Sequence, residues 1–131
     1  MSLRIAGYAA LFHIADAVRD TIAPHAFART LADRREPLPL LWQHRPAQRI
    51  GTVELAEPDA RGLRVIARID RPDSRAAELL RRRAVSGLSF GYVARHHRPL
   101  TPGRLLEEID LLEISLVTRP VQHGARVHLL R

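Results

Sequence analysis

The chain has 131 residues, 46% hydrophobic and 27% charged, with no cysteine. That is enough for one domain with its own core, and it excludes a disulfide framework, thiolate chemistry and a Cys-based zinc site. The net charge is +7, but every one of the 21 basic residues is Arg, with no Lys or Asn anywhere. Coding bias toward GC-rich codons favours Arg over Lys and weakens, without removing, the charge as a sign of nucleic-acid binding, and with aromatics at 5% a nucleic-acid stacking platform is disfavoured.

No apolar run approaches the ~18 residues that span a membrane, and "MSLRIAGYAALF" reads as a strand rather than a signal peptide, covering Leu3 to Phe12. A polar connection through Asp16 and Asp20 leads to Pro24. "PHAFARTLADRR" then predicts a short helix, with Phe27 and Leu31 on one apolar stripe. "EPLPLLWQH" is extended, because residues before Pro37 and Pro39 avoid the helical region. "RIGTVELAE" and "GLRVIARID" alternate with period two around the turn "PDARG" and predict an antiparallel hairpin. Leu63, Val65, Ala67 and Ile69 share one face of it. "DSRAAELLRRRA" predicts a second helix capped by Asp73 or Ser74, with Arg81 to Arg83 complementing its C-terminal dipole. "SGLSFGYVARHH" is a strand. A further strand runs from about Leu105 to Val117 with a bulge near Asp110, and puts Glu113 on one face with Leu111, Ser115 and Val117. "RVHLL" is a last short strand.

The fold expected from these elements is α+β or mainly β: a closed or nearly closed antiparallel β-barrel of about six or seven strands with short flanking helices, a single domain over residues 1–131. Trp42 is expected in the core. The adjacent His96 and His97 point to opposite faces and cannot share a metal, and His123 and His128 lack companions at ligand spacing. No metal or cofactor is expected.

Gly87-Leu88-Ser89-Phe90-Gly91 spells G-x-S-x-G, the nucleophile elbow of α/β-hydrolases. The elbow needs a helix after the serine, and here "YVARHHRPL" continues extended. Taken alone, Ser89 is an ordinary sheet serine, and the two glycines mark a bulge or a close approach of backbone.

The ordered set of "GYAALF", "IAPHAFARTL", "LLWQH", "IGTVELAE", "SGLSFGY" and "IDLLEISLVTRPVQHGA" changes that. Over about Gly7 to Val127 the chain resembles the prohead maturation serine proteases of tailed phages, relatives of the herpesvirus assembly protease. The resemblance implies a β-barrel serine endopeptidase in which Ser89 is the nucleophile and His44 the general base. A serine hydroxyl needs such a base to take its proton, and a histidine can return it to the leaving amine. The third member comes from the strand after the Ser89 strand. Glu113 is the candidate and Asp110 its rival, a carboxylate where the herpesvirus relatives use a second His. "TRPVQ", with Arg119, is the candidate oxyanion region.

The resemblance further implies action inside the immature procapsid, in the cytoplasm of a bacterial host. The expected substrates are the scaffolding segment of the major capsid precursor and the protease itself. The viral relatives suggest a homodimer. The rival reading is a catalytically inactive, protease-like assembly factor. The chain ends soon after its last strand, without the long polar extension that would tether it in a shell, so its route of packaging is open.

Overall fold

The computed structural model of the chain describes residues 3–120, 122 and 124–130. Strands dominate: β1 (Leu3–Leu11), β2 (Asp20–Ile22), β3 (Pro39–Trp42), β4 (Arg45–Pro58), β5 (Gly62–Ile69), β6 (Gly87–Pro99), β7 (Arg104–Val117) and β8 (Val127–Leu130). The helices are α1 (Ala28–Asp33), entered from the buried Phe27, and α2 (Arg75–Arg81), whose Ser74 side chain accepts the Ala77 N–H. The expected β4–β5 hairpin is present, and Leu63, Val65, Ala67 and Ile69 are all fully buried.

β7 organises the sheet. β6 runs antiparallel along it from Gly87↔Val117 to Pro99↔Arg104. A strand has two edges, so its other edge takes β2 at Asp20↔Arg104 and β3 at Leu41↔Ser115, both parallel. The gap between β2 and β3 is filled by the α1 segment. Ile109 N–H donates to the Ala26 carbonyl, and Leu111 N–H to Thr30 Oγ1, at 3.0 Å each. From β3 the sheet continues through β4, β5, β1 and β8.

This is a curled half-barrel, not the closed or nearly closed barrel expected. Among the described residues the open edges meet only in the isolated bridges Phe12↔Ile22 and Gly87↔Arg126. β2 and β8 are too short, at 3 and 4 residues, to extend those bridges into ladders. The sheet is also mixed rather than antiparallel, because β2 and β3 both join β7 head to head. The concave side carries the core: Leu40, Leu88, Ile109, Ile114 and Leu116 pack with Ile5, Val65 and Phe27, all fully buried. The ring of Phe27 meets Phe90 edge-on at 5.5 Å. Trp42 is only partly buried and packs at the margin of this core.

β7 bulges on both sides of Asp110: at Glu107, where His96 pairs with Glu108 but His97 with Leu106, and at Leu112. Gly91 pairs with Glu113 but Tyr92 pairs with Leu111, so Leu112 is the extra residue and is 52% exposed. The bulge at Leu112 reverses the faces. Leu111 points into the core with Ile114, and Glu113 shares the opposite face with Ser115 and Val117 but not with Leu111.

β2 has no counterpart in the predicted elements. It is anchored by a buried carboxylate: Asp20 accepts Arg104 Nε at 2.9 Å and Nη2 at 2.8 Å, and Tyr92 Oη–H at 3.2 Å. The bidentate Arg104 bonds hold the Asp20 carboxyl below its ordinary range, against the opposing effect of burial. A depressed pKa stabilises the fold above the unfolded-state value and is lost as pH falls through the folded value. Asp20→Asn should therefore cost about 1–3 kcal/mol near neutrality. The gap between wild type and variant in thermal melting should stay constant above about pH 5 and close below about pH 4.

Candidate active site

The site lies on the face of the sheet opposite the core, where β3, β6 and β7 adjoin. Paired residues in neighbouring strands project to the same side. The pairs Ser89↔Ser115, Gly91↔Glu113 and Leu41↔Ser115 therefore put Ser89, Glu113 and Ser115 on one face, opposite the core residues Leu88, Phe90 and Ile114. Ser89, Glu113 and Ser115 are buried, at 6%, 8% and 0% exposure.

His44 reaches this face from the β3–β4 turn. Trp42 pairs with Arg45, which leaves Gln43 and His44 as the turn residues, with φ of 51° and 60°. A two-residue hairpin needs positive φ at both positions and ordinarily uses Asn-Gly. Gln and His pay roughly 1–2 kcal/mol each there, and the surroundings hold them. Gln43 N–H donates to the Leu116 carbonyl at 2.9 Å, and the Gln43 side chain exchanges bonds with Thr118. His44 N–H donates to Ser115 Oγ at 3.1 Å. Backbone strain held in place by such bonds is characteristic of functional positions.

His44 Nδ1 contacts Glu113 Oε1 directly, and Ser115 Oγ–H donates to Glu113 Oε2 at 2.5 Å. With its Nδ1 proton committed to the carboxylate, the ring presents Nε2 as a lone pair. Among the described residues no hydrogen bond joins Ser89 to this ring, so the structure brings His44 and Glu113 into contact and places Ser89 on their face, across from Ser115. Asp110 is elsewhere, in an ion pair with Arg95 at 2.5 Å. Arg119 is exposed in the loop after β7, and the next residue, Pro120, packs beside Gly87. Thr118 N–H is taken by Gln43 and Pro120 has none, while Arg119 N–H has no partner among the described residues. His123 lies outside the described residues.

Depressions flank these residues. One of about 750 Å³ is lined by His44, Glu113, Leu41, Phe90, Tyr92 and Leu112. A smaller one of about 80 Å³ is bordered by Ser89, Ala9, Val18 and Gln122.

The glycines of G-x-S-x-G have a steric origin that the sequence reading left open. A Cβ on Gly91 would overlap the Glu113 carboxylate, and one on Gly87 would lie 2.7 Å from Pro120 Cδ and 2.8 Å from the Val117 carbonyl oxygen. Both glycines thus admit a neighbour of Ser89's strand: the acid from β7 and the loop that follows it.

This curled half-barrel is the fold of herpesvirus proteases. The protease of Kaposi's sarcoma herpesvirus, solved with a hexapeptide phosphonate inhibitor, superposes with a TM-score of 0.69 at 17% identity over 100% of this chain and 66% of its own. The varicella-zoster virus protease gives 0.62 at 17%, over 98% of this chain and 64% of its own. The chain thus spans about two thirds of the length of these neighbours, and at such identities the likeness is one of fold. No curated protein matches. The family model described as caudovirus prohead serine protease matches residues 1–131, and the chain belongs to that family.

The contact between Gly91 and Glu113 can be measured. Gly91→Ala should destabilise the fold by about 1–3 kcal/mol. In a Glu113→Ala background most of that cost should vanish, a coupling read by denaturant melts of the two single variants and the double variant. Equal costs in both backgrounds would mean that the carboxylate does not occupy the space beside Gly91.

Proposed function

We propose that residues 1–131 form a single serine endopeptidase domain of capsid assembly, with Ser89 as nucleophile, His44 as general base and Glu113 as the acid that orients it. The observation that carries this reading is the contact of His44 Nδ1 with Glu113, on the face that Ser89 shares through its pairing with Ser115. Family membership supports the protease class.

In this mechanism the substrate lies extended between the two depressions. Ser89 Oγ attacks the scissile carbonyl carbon as its proton passes to His44 Nε2. The imidazolium that forms faces the Glu113 carboxylate, which stabilises its charge and keeps the ring oriented. The carbonyl oxygen becomes an oxyanion, and Arg119 N–H is the donor left available in the adjoining loop. His44 then protonates the leaving amine, the C–N bond breaks, and water activated by the same ring releases the acyl group from Ser89. The natural substrates in this reading are the scaffolding segment of the major capsid precursor and the protease itself, cleaved inside the procapsid. The large depression beside His44, walled by Leu41, Phe90, Tyr92 and Leu112, suits apolar side chains of such a segment.

Co-expression with its capsid precursor tests the proposal. Ser89→Ala and His44→Ala should each abolish precursor cleavage, a loss of about 10⁴-fold or more, and Glu113→Ala should lower it by about 10²–10⁴-fold. A peptidyl phosphonate, the inhibitor class bound by the Kaposi's sarcoma herpesvirus enzyme, should add one covalent mass to Ser89. Cleavage that survives both Ser89→Ala and His44→Ala sinks the reading. A well-folded wild type that neither cleaves nor reacts would favour an inactive assembly factor.

A further inference from the structure

The mechanism above uses Ser89, His44 and Glu113 and leaves aside the most deeply buried hydroxyl on that face. Ser115 is 0% exposed. Its Oγ–H donates to Glu113 Oε2, and the same oxygen accepts the backbone N–H of His44 at 3.1 Å. One hydroxyl therefore spans the acid on β7 and the main chain of the turn that carries the base. Its single O–H donor is used inside the site, so Ser115 faces Ser89 without an idle donor to offer it.

Each bond answers a specific need. Glu113 is nearly buried, and His44 occupies only Oε1. An ionised carboxylate held out of water needs donors on both oxygens, or it is driven to rotate or protonate. Ser115 is the donor on Oε2. Gly91, against which the carboxylate rests, leaves the space in which this rotamer fits. At the turn, His44 holds a left-handed conformation and its N–H points into the strand rather than to solvent. Ser115 Oγ is the acceptor that keeps that N–H satisfied.

We infer that Ser115 is a positioning residue of the proteolytic site: it locks the Glu113 carboxylate onto His44 Nδ1 and the His44 turn onto β7, and so fixes the tautomer that leaves Nε2 unprotonated. The inference rests on the proposed serine mechanism. Ser115 touches neither substrate nor the reacting atoms and acts only through its two neighbours. Its loss leaves binding surfaces intact and degrades the base, so kcat falls while KM holds.

The test combines kinetics with a readout that needs no turnover. In wild type, ¹⁵N shifts of the His44 ring at high pH should report the Nδ1–H tautomer. Ser115→Ala should shift the ring toward a mixture with Nε2–H and lower kcat by about 10–100-fold, the scale of orienting groups one shell removed, with KM within about twofold. Ser115→Thr, which restores the hydroxyl, should recover the tautomer. If Ser115→Ala does not fold, Ser115→Cys, close in size but a weak donor, takes its place with the same expectation. An unchanged kcat and an unchanged tautomer in the folded variant overturn the inference. Failure of the underlying mechanism looks different, as activity that survives Ser89→Ala. If Ser89→Ala is inactive and Ser115→Ala is fully active, only the role of Ser115 falls.

Discussion

The backbone of β7 is the constraint on which the molecule depends. Its hydrogen-bonding groups are divided among four segments far apart in sequence: β6 on one edge, and β2, the α1 segment and β3 in succession on the other. A strand buried along both edges cannot slip by one residue without exchanging its two faces. Ile114 and Leu116 would then leave the core, and Glu113 and Ser115 would enter it without partners. The register that protects the core is therefore the same register that aims the acid. The bulge at Leu112 is where the two demands are reconciled, since it lets Leu111 and Ile114 both point inward while Glu113 points out.

From that fixed strand the site is assembled by contact, not by flexible reach. β3 pairs with the last part of β7, so the turn at its end arrives opposite Leu116 and Ser115. The turn is unfavourable in isolation, with two non-glycine residues at positive φ. Its conformation is held by bonds from Leu116, Thr118 and Ser115, all in β7 or just beyond it. Strain in the His44 turn and the rigidity of β7 are thus two sides of one arrangement. A relaxed turn would let the imidazole sample positions away from the Glu113 carboxylate that it contacts here.

Local pattern carried much of this into the sequence. The β4–β5 hairpin, both helices, the length of β6 and β7 and the Ser74 cap follow from periodicity and capping chemistry. The strand face of Glu113 was half legible: its companions Ser115 and Val117 are right, but Leu111 is not, because a bulge has no composition signature in "IDLLEISL". β2 was invisible for a related reason. Three residues with a buried aspartate look like a polar loop until Arg104, 84 positions away, is known to receive the carboxylate. The β3–β4 turn was missed because Gln-His is not turn chemistry by propensity, and only tertiary hydrogen bonds make it so. Barrel closure failed as an expectation because the strand count says nothing about whether the outermost strands are long enough to meet.

G-x-S-x-G is the instructive case. In an α/β-hydrolase its glycines permit a sharp turn between strand and helix. Here the same letters lie in a straight antiparallel strand, and the space they leave is filled from the neighbouring strand and its loop: the Glu113 carboxylate at Gly91 and Pro120 at Gly87. A side chain at Gly91 would compete with the acid for one volume, and a side chain at Gly87 would push away the segment carrying Arg119. Both glycines therefore serve the surroundings of Ser89 by being absent rather than by bending the chain. A carboxylate brought this close and this far from water must in turn have both oxygens occupied, one by the imidazole and the other by a hydroxyl from its own strand face. The spacing of Glu113 and Ser115, two apart on an otherwise apolar strand, is what that requirement looks like in sequence. The pair belongs with the motif as much as the serine does.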